Sequence, residues 1–219
     1  SPGDAHRLIV EYIPVTTVTY QVSAADDDLE EWIAGANQSQ VVGALDAGSS
    51  DLEFGTEGGG NDPQMVGLRF ANVTVPKGAI VRDARIRFTV DATAKNSDPV
   101  NVWVKAQDAD NPVTFNPAVA FDITSRAKMN DSVNWVVPTG SWATVGASGP
   151  DQTTTNISRL TQALVNRAGW ASGNAMAYFI HGTGTREAES YDGSPSDAAR
   201  LIIDYVGGPG GGGGGSVNP

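Results

Sequence analysis

The residues in this sequence best suited to chemistry are carboxylates, and they are concentrated in one short stretch. Asp26–Glu31 reads DDDLEE and holds five acids in six residues. Calcium takes about six to eight oxygen ligands, mainly from carboxylates and carbonyls, and would relieve the repulsion among neighbouring acids. The stretch therefore predicts a calcium site, although a merely solvated acidic loop would have the same composition. The candidate ligands are Asp26, Asp27, Asp28, Glu30, Glu31, Asp51, Glu53 and Asp204, with Asp108–Asn111 and Glu187–Asp192 as weaker second sites.

Aromatic side chains on polar surfaces provide a second kind of candidate site. Val100–Gln107 alternates apolar and polar residues, which places Trp103 on the polar face of a predicted strand. Aromatic rings can stack on the CH faces of sugars while nearby polar groups bind the hydroxyls. Trp135 and Trp170 have apolar neighbours and are expected in the core. The candidate sugar-binding residues are Trp103, Trp32, Trp142, Tyr191 and Arg186, of which Arg186 also fits a salt-bridged turn with the acids that follow it.

The sequence offers little for catalysis. His6 and His181 are the only histidines, cysteine is absent, and no serine lies in a Gly-x-Ser-x-Gly motif. Zinc sites lack ligands for the same reason. Two carboxylates could hydrolyse a glycoside, but any pairing among 25 acidic residues is uninformative. We therefore expect a protein that is not an enzyme.

Charge and composition exclude several kinds of partner. The formal net charge is −11, whereas nucleic acids and anionic membranes require clustered Lys and Arg. No apolar run is long enough to cross a bilayer, and no signal-peptide pattern is present. We expect neither nucleic-acid binding nor membrane insertion, and interpret the chain as a mature segment of a secreted or cell-surface protein.

The spacing of apolar residues predicts strands joined by many turns. Met65–Val73 and Ala79–Val90 form the clearest pair, connected by a Pro-x-Gly turn. The expected centre of the core is Ile86, Phe88, Val90, Val102 and Val104, which alternate with polar residues. Further predicted strands are Val15–Val22, Val41–Leu45, Asp51–Phe54, Val119–Ile123, Val133–Val137, Ala175–His181 and Arg200–Val206.

One stretch has helical spacing. Ile157, Leu160, Leu164 and Val165 fall on one stripe, which Asn156 or the preceding Thr155 can cap and Gly169 can end. Together with the strand pattern, this predicts an all-β fold, a jelly-roll β-sandwich with one short helix.

The end of the module is duplicated at the start of the chain. Ser194–Tyr205 reads SPSDAARLIIDY and Ser1–Tyr12 reads SPGDAHRLIVEY, with eight of twelve positions identical. We therefore predict a duplicated terminal strand in residues 1–14, a sandwich module in residues 15–206 and a Gly-rich linker or tail in residues 207–219. We expect the C-terminal copy to fill the module's own sheet. The spare copy would belong to a preceding module or pair with a neighbouring chain through Leu8, Val10 and Tyr12.

Several phrases of the chain carry a resemblance that covers about residues 22–206. DDDLEEW, SSDLEFG, VGLRFANVTVPKGAIVRDARIRFTVD, GWASGNAMAYFIHGTGTREAESYDG and ARLIIDY resemble a jelly-roll module of large secreted or surface proteins of bacteria. The core hairpin is also loosely similar to modules of the carbohydrate-binding type. The resemblance implies a non-catalytic jelly roll that is often repeated in tandem and often stabilised by calcium.

Two functions follow from these observations. The first is a non-catalytic secreted module of a repetitive extracellular protein, stabilised by Ca²⁺, with polysaccharide as a candidate ligand and like modules as partners. The alternative is a structural subunit that polymerises into filaments by donating its N-terminal strand to a neighbouring copy. Retention on polysaccharide would favour the first, and filaments without retention would favour the second.

Overall fold

The structure, a computed structural model, describes residues 14–35, 39–57, 62–96 and 99–208. Its strands are β1 (Thr16–Gln21), β2 (Asp28–Trp32), β3 (Leu45–Asp46), β4 (Asp51–Glu53), β5 (Thr56–Glu57), β6 (Asp62–Phe70), β7 (Ile80–Arg87), β8 (Val90–Ala92), β9 (Val100–Ala106), β10 (Val133–Val137), β11 (Met176–Thr183), β12 (Glu187–Glu189) and β13 (Arg200–Val206). The helix α1 is Ser158–Val165, and 3₁₀ turns lie at Ala25–Asp27 and Pro150–Gln152.

These strands form three antiparallel sheets. The central sheet has seven strands, in the order β10-β9-β11-β6-β2-β3 with β5 paired to β6. The β13 sheet has the order β1-β13-β7, and the acidic sheet has the order β4-β12-β8. Antiparallel sheets packed together, with one α-helix in the described residues, confirm the all-β sandwich that the sequence predicts.

The main core combines side chains from all three sheets. The Phe54 and Phe88 rings meet edge to face with centroids 4.6 Å apart, and Trp135 stacks on Phe88 at 5.7 Å. Such pairs add to the free energy gained by burying large apolar surfaces. The predicted centre of the core is confirmed, since Ile86, Phe88, Val90, Val102 and Val104 are all at most 1% exposed; Trp135 and Trp170 are buried as expected.

A second, smaller apolar cluster lies on the opposite face of the central sheet. The segment of residues 108–130 crosses this face, and a Cβ atom at Gly67 would approach Phe115 at 2.9 Å and Ile123 at 3.0 Å. The glycine therefore lets this covering segment pack closely on β6. The prediction of a strand at Val119–Ile123 is wrong, because the segment forms turns and Phe121 adopts a left-handed φ of 64°.

Helix α1 matches its predicted apolar stripe. Leu160, Leu164 and Val165 are buried, and the Asn156 side chain accepts a hydrogen bond from the Ser158 N–H at 2.7 Å. This bond satisfies one of the free donors at the start of the helix. The helix ends at Val165, before the predicted Gly169.

Two strand boundaries differ from the prediction. Ala79–Val90 divides into β7 and β8, because the Phe88 N–H donates to the Gln152 carbonyl at 2.9 Å instead of continuing a strand ladder. In the predicted strand Val41–Leu45, only the last residue belongs to β3.

Strand β13, the C-terminal copy of the duplicated sequence, lies between β1 and β7. Its Leu201 and Ile203 side chains are fully buried. The N-terminal copy, with its interface residues Leu8, Val10 and Tyr12, lies outside the described residues, as does the glycine run of residues 210–215.

Truncation of Phe88 to Ala should lower the free energy of unfolding by about 3–5 kcal/mol, because it leaves a cavity beside two other aromatic rings. Arg87→Ala should cost less than about 1 kcal/mol, since the side chain is partly exposed. Urea unfolding of both variants measures the difference. Equal losses of unfolding free energy in the two variants would contradict the assignment of Phe88 to the core and of Arg87 to the surface.

Candidate functional site

The acidic stretch forms a 3₁₀ turn and strand β2, not the loop expected from the sequence. Asp26 is exposed, but Asp27, Asp28, Glu30 and Glu31 are at most 4% exposed. Burying a carboxylate costs free energy unless donors or a proton compensate its charge. The partners of the four buried carboxylates therefore decide what this stretch can do.

Two of these carboxylates anchor the covering segment. Arg69 Nη1 donates to both Asp27 oxygens at 2.9 and 2.8 Å, and the Thr114 hydroxyl donates to Asp27 at 2.6 Å. Glu31 accepts hydrogen bonds from the Thr124 N–H at 2.9 Å, from the Thr124 hydroxyl and from the N–H before it. Asp27 and Glu31 are thus committed to structural bonds.

The other two buried carboxylates point toward the acidic sheet. Asp28 accepts a hydrogen bond from the Tyr191 N–H at 2.8 Å, and Glu30 accepts one from the Glu53 N–H. Burial, reinforced by the charge of Asp192, raises the pKa of Asp28 to about 8. Burial also raises the pKa of Glu30 well above its usual value. Asp28 therefore favours the protonated form at neutral pH, and burial shifts the pKa of Glu30 in the same direction.

A tight cluster of carboxylates lies on the acidic sheet itself. Oxygen atoms of Asp51, Asp91 and Glu187 all lie within 4.8 Å of one another, and the three side chains are partly exposed. A β-bulge brings Asp91 into this group, because Glu187 pairs with Ala92 whereas the next residue of β12 pairs with Val90. Asp91 is the extra residue of the bulge.

The electrostatics of the cluster reflect mutual repulsion. Burial raises the pKa values of Asp91 and Glu187, and the charge of Asp51 raises both further. The pKa of Glu189 is raised in the same way, and its side chain forms a hydrogen bond with Asp91. Two carboxyls can form such a bond only if one holds a proton. A cation of about two charges could replace that proton and relieve the repulsion.

Thr89, the residue before β8, is joined to the acidic sheet through its backbone. The Thr89 carbonyl accepts a hydrogen bond from the Glu189 N–H at 2.9 Å. Thr89 is 3% exposed, and its hydroxyl has no hydrogen-bond partner among the described residues.

Of the eight predicted metal ligands, Asp51 alone belongs to the cluster, and Glu53 lies opposite Glu187 in the same sheet. Asp204 lies in the β13 sheet, where it accepts a 2.6 Å hydrogen bond from Thr17. Sequence reasoning missed Asp91, which directly follows the alternating pattern that ends at Val90. The weaker candidate at Asp108–Asn111 forms ion pairs, because Arg167 binds both of its aspartates.

The second candidate site is an open part of the central sheet's outer face. Trp103 is 42% exposed on β9 and pairs with Asn134 of β10 and His181 of β11. We call this surface the Trp103 strip, and its residues are Asn101, Trp103, Asn134, Val136, His181 and Thr183. The Asn134 amide donates to Asn101 and to the Val102 carbonyl. The strip thus combines an aromatic ring with oriented amides.

Two lysines stand where the strip meets the covering segment. Lys105 is two residues from Trp103 on β9 and pairs with Phe179 of β11. The Lys128 ammonium lies 4.3 Å from the centre of the Phe179 ring. Burial lowers the pKa of His181, and the charges of Lys105 and Lys128 lower it further. The electrostatic environment of this surface is therefore cationic.

The structure removes two residues from the predicted sugar-binding set. Trp142 is fully buried, with its ring 5.8 Å from that of Phe54, so it has no face to offer a ligand. Arg186 is 1% exposed and donates to the Lys95, Asn96 and Thr185 carbonyls at 2.6–2.9 Å. Its guanidinium joins loops in the interior.

Two other predicted residues remain at the surface in part. The Trp32 indole N–H donates to Glu57 at 2.5 Å, which fixes the ring beside an acid. Tyr191 packs partly against the core. Neither residue lies in the Trp103 strip, so the structure brings only Trp103 of the predicted set to this surface.

No known protein family model matches the chain, and no curated protein matches it. Among the described residues, no helix has the length and apolar character needed to cross a membrane.

Replacement of Asp28 by Asn should flatten the pH dependence of stability. The folded pKa of about 8 exceeds the unfolded value of about 3.9, so the folded state binds more protons between these values. Stability should fall as pH rises through this window, by up to about 1.4 kcal/mol per pH unit from this carboxyl. The amide oxygen can still accept the Tyr191 N–H.

Urea unfolding between pH 5 and 8 in metal-free buffer measures this slope. Asp151→Asn, an exposed aspartate that is not among the groups that shift the pKa of Asp28, serves as the control and should change the slope much less. An unchanged slope in Asp28→Asn would mean that Asp28 is ionised in the folded protein.

Proposed function

We propose that the chain is a non-catalytic β-sandwich module of a secreted or cell-surface protein, which binds polysaccharide through the Trp103 strip and is stabilised by calcium at the acidic sheet. The observation that carries the binding role is the exposed Trp103 ring on a sheet face beside oriented amides. The apolar face of an exposed indole ring gains free energy when a partner covers it, and the CH groups of a sugar ring can do so while the amides bind its hydroxyls.

The shape of the strip supports an extended ligand. Asn101, Trp103 and Lys105 succeed one another along β9 at intervals of about 7 Å, the two-residue repeat of a strand. Such a row can contact successive sugar units of a chain. A separate surface depression of about 290 Å³, lined by Arg85, Val136 and Asp151 among others, borders the strip at Val136.

A non-catalytic role agrees with the surroundings of His181. No hydrogen bond joins this imidazole to a serine or carboxylate among the described residues, so the pairing used in nucleophilic catalysis is not formed there. The filament alternative depends on Arg7–Tyr12, which lies outside the described residues, and no observation on the described sheets favours it.

Trp103→Ala should weaken polysaccharide binding at least about tenfold, because a central Trp is a common binding hot spot. Affinity electrophoresis through gels containing neutral and acidic polysaccharides measures this. Phe121→Ala removes another exposed aromatic, 46% exposed on the covering segment, and should leave binding unchanged. Wild-type chain that binds no polysaccharide, or a Trp103→Ala variant that binds as tightly, contradicts the proposal.

Calcium binding is supported by the carboxylate geometry of the acidic sheet. Oxygens bound to one calcium ion at about 2.3–2.6 Å lie at most roughly 5 Å apart, and those of Asp51, Asp91 and Glu187 satisfy this limit. Glu189, whose side chain forms a hydrogen bond with Asp91, would supply a further carboxylate, and water would complete the ligand set. Burial and then the charge of Asp51 raise the pKa values of Asp91 and Glu187, and a bound cation would offset both effects.

Calcium at a hundredfold excess over its dissociation constant should stabilise the fold by about 2.7 kcal/mol, or roughly 5–10 °C in melting temperature for a domain of this size. Asp91→Asn should abolish most of this shift. Asp204→Asn, in the β13 sheet, should retain it. Identical melting curves of the wild-type chain in calcium and in chelator would exclude the site.

A further inference from the structure

The charges around the Trp103 strip are opposite to those of the chain. The formal net charge of the chain is −11, yet the charges that reach His181 are those of Lys105 and Lys128. Lys105 and Trp103 are two residues apart on β9, so their side chains share the outer face. Any ligand stacked on Trp103 therefore lies next to an ammonium group.

The two lysines differ in what they can offer. The Lys128 ammonium donates to the carbonyls of Ile123, Thr124 and Arg126 at 2.8–3.1 Å, so its three donors are already used. Burial lowers its pKa to about 8. Lys105 is partly exposed and forms no ion pair or side-chain hydrogen bond with the described residues. Its donors are therefore available to a ligand, with Lys128 contributing charge behind it.

One buried acid, Glu31, interacts with Lys128 at the edge of the strip. Glu31 raises the pKa of Lys128 through its charge, but it is fully buried and bonded to the covering segment. The charge of Glu31 offsets that of Lys128, whereas the charges that shift the pKa of His181 on the strip are those of the two lysines. The exposed part of this boundary presents ammonium groups.

We infer that the polysaccharide bound by the Trp103 strip is a polyanion, and that Lys105 selects it by contacting a carboxylate or sulfate on the sugar next to the one stacked on Trp103. This inference rests on the proposed polysaccharide-binding function. A neutral glycan gains nothing from an unpaired lysine. A polyanion is repelled by the rest of an acidic molecule, and it can approach this module where the local charge is reversed.

The first test compares glycans that differ in charge alone. Polygalacturonate and hyaluronate are each paired with their carboxyl-reduced forms, and dextran sulfate is paired with dextran, in affinity gels of the wild-type chain. At least one anionic glycan should bind at least fivefold more tightly than its neutral counterpart. Comparison of dextran sulfate with the two carboxylated glycans shows whether the protein prefers sulfate or carboxylate. Equal or tighter binding of the neutral forms overturns the inference and leaves the proposed function standing. Failure to bind any polysaccharide, neutral or acidic, overturns both.

The second test changes the protein. Lys105→Gln should weaken binding of the anionic glycan about two- to fivefold, the usual worth of one exposed charge contact, and Lys105→Glu should weaken it further. Binding should also fall as salt rises from 50 to 500 mM, because screening shortens the reach of the charges. Arg82→Gln removes one exposed positive charge from β7 in the β13 sheet and serves as the control. Equal effects of Lys105→Gln and Arg82→Gln contradict the assignment.

Discussion

Burial of four carboxylates from one short segment, Asp27–Glu31, is the constraint on which the rest of the structure depends. A carboxylate removed from water must find donors or take up a proton. The donors to these four groups come from four distant parts of the chain: Arg69 with Thr114, Tyr191, Glu53, and Thr124 with its neighbour. One strand therefore joins segments that no local interaction would hold together.

Because side chains alternate along β2, its buried carboxyls face opposite sides of the strand, one side for each candidate surface. Leu29 and Glu31 face the covering segment, and Glu31 holds that segment over part of the sheet's outer face. Where the cover ends, the Trp103 strip remains open. Asp28 and Glu30 face the other way and hold the backbone of Tyr191 and Glu53, which flank the acidic sheet. Both surfaces thus depend on the same five-residue strand.

The two proposed ligands are electrostatically compatible. The carboxylates are concentrated on the acidic sheet, whereas the Trp103 strip adjoins Lys105 and Lys128. A divalent cation on the acidic sheet would also reduce the net negative charge that opposes a polyanion. Calcium binding and binding of an acidic glycan would therefore reinforce each other, although they occur on different sheets.

Local patterns predict much of this architecture. The alternation along β9 places Trp103 outward, and the helical stripe predicts α1, because periodicity depends on neighbouring residues alone. The acidic stretch is wrongly expected to be a loop that binds calcium, because local sequence does not reveal donors such as Arg69 that are distant in the chain. Asp91 joins the carboxylate cluster through a bulge, which depends on strand register. Trp142 is similarly buried by partners distant in sequence.

The central claim is that β2 carries a buried carboxyl, that of Asp28, which holds a proton at neutral pH. Carboxyl carbon NMR, with Asp28 assigned by its disappearance in Asp28→Asn, measures this directly in metal-free protein. We expect Asp28 to titrate with a midpoint of about 8. A midpoint near 4, the ordinary value of an exposed aspartate, would show that Asp28 is solvated and that β2 does not organise the fold as described.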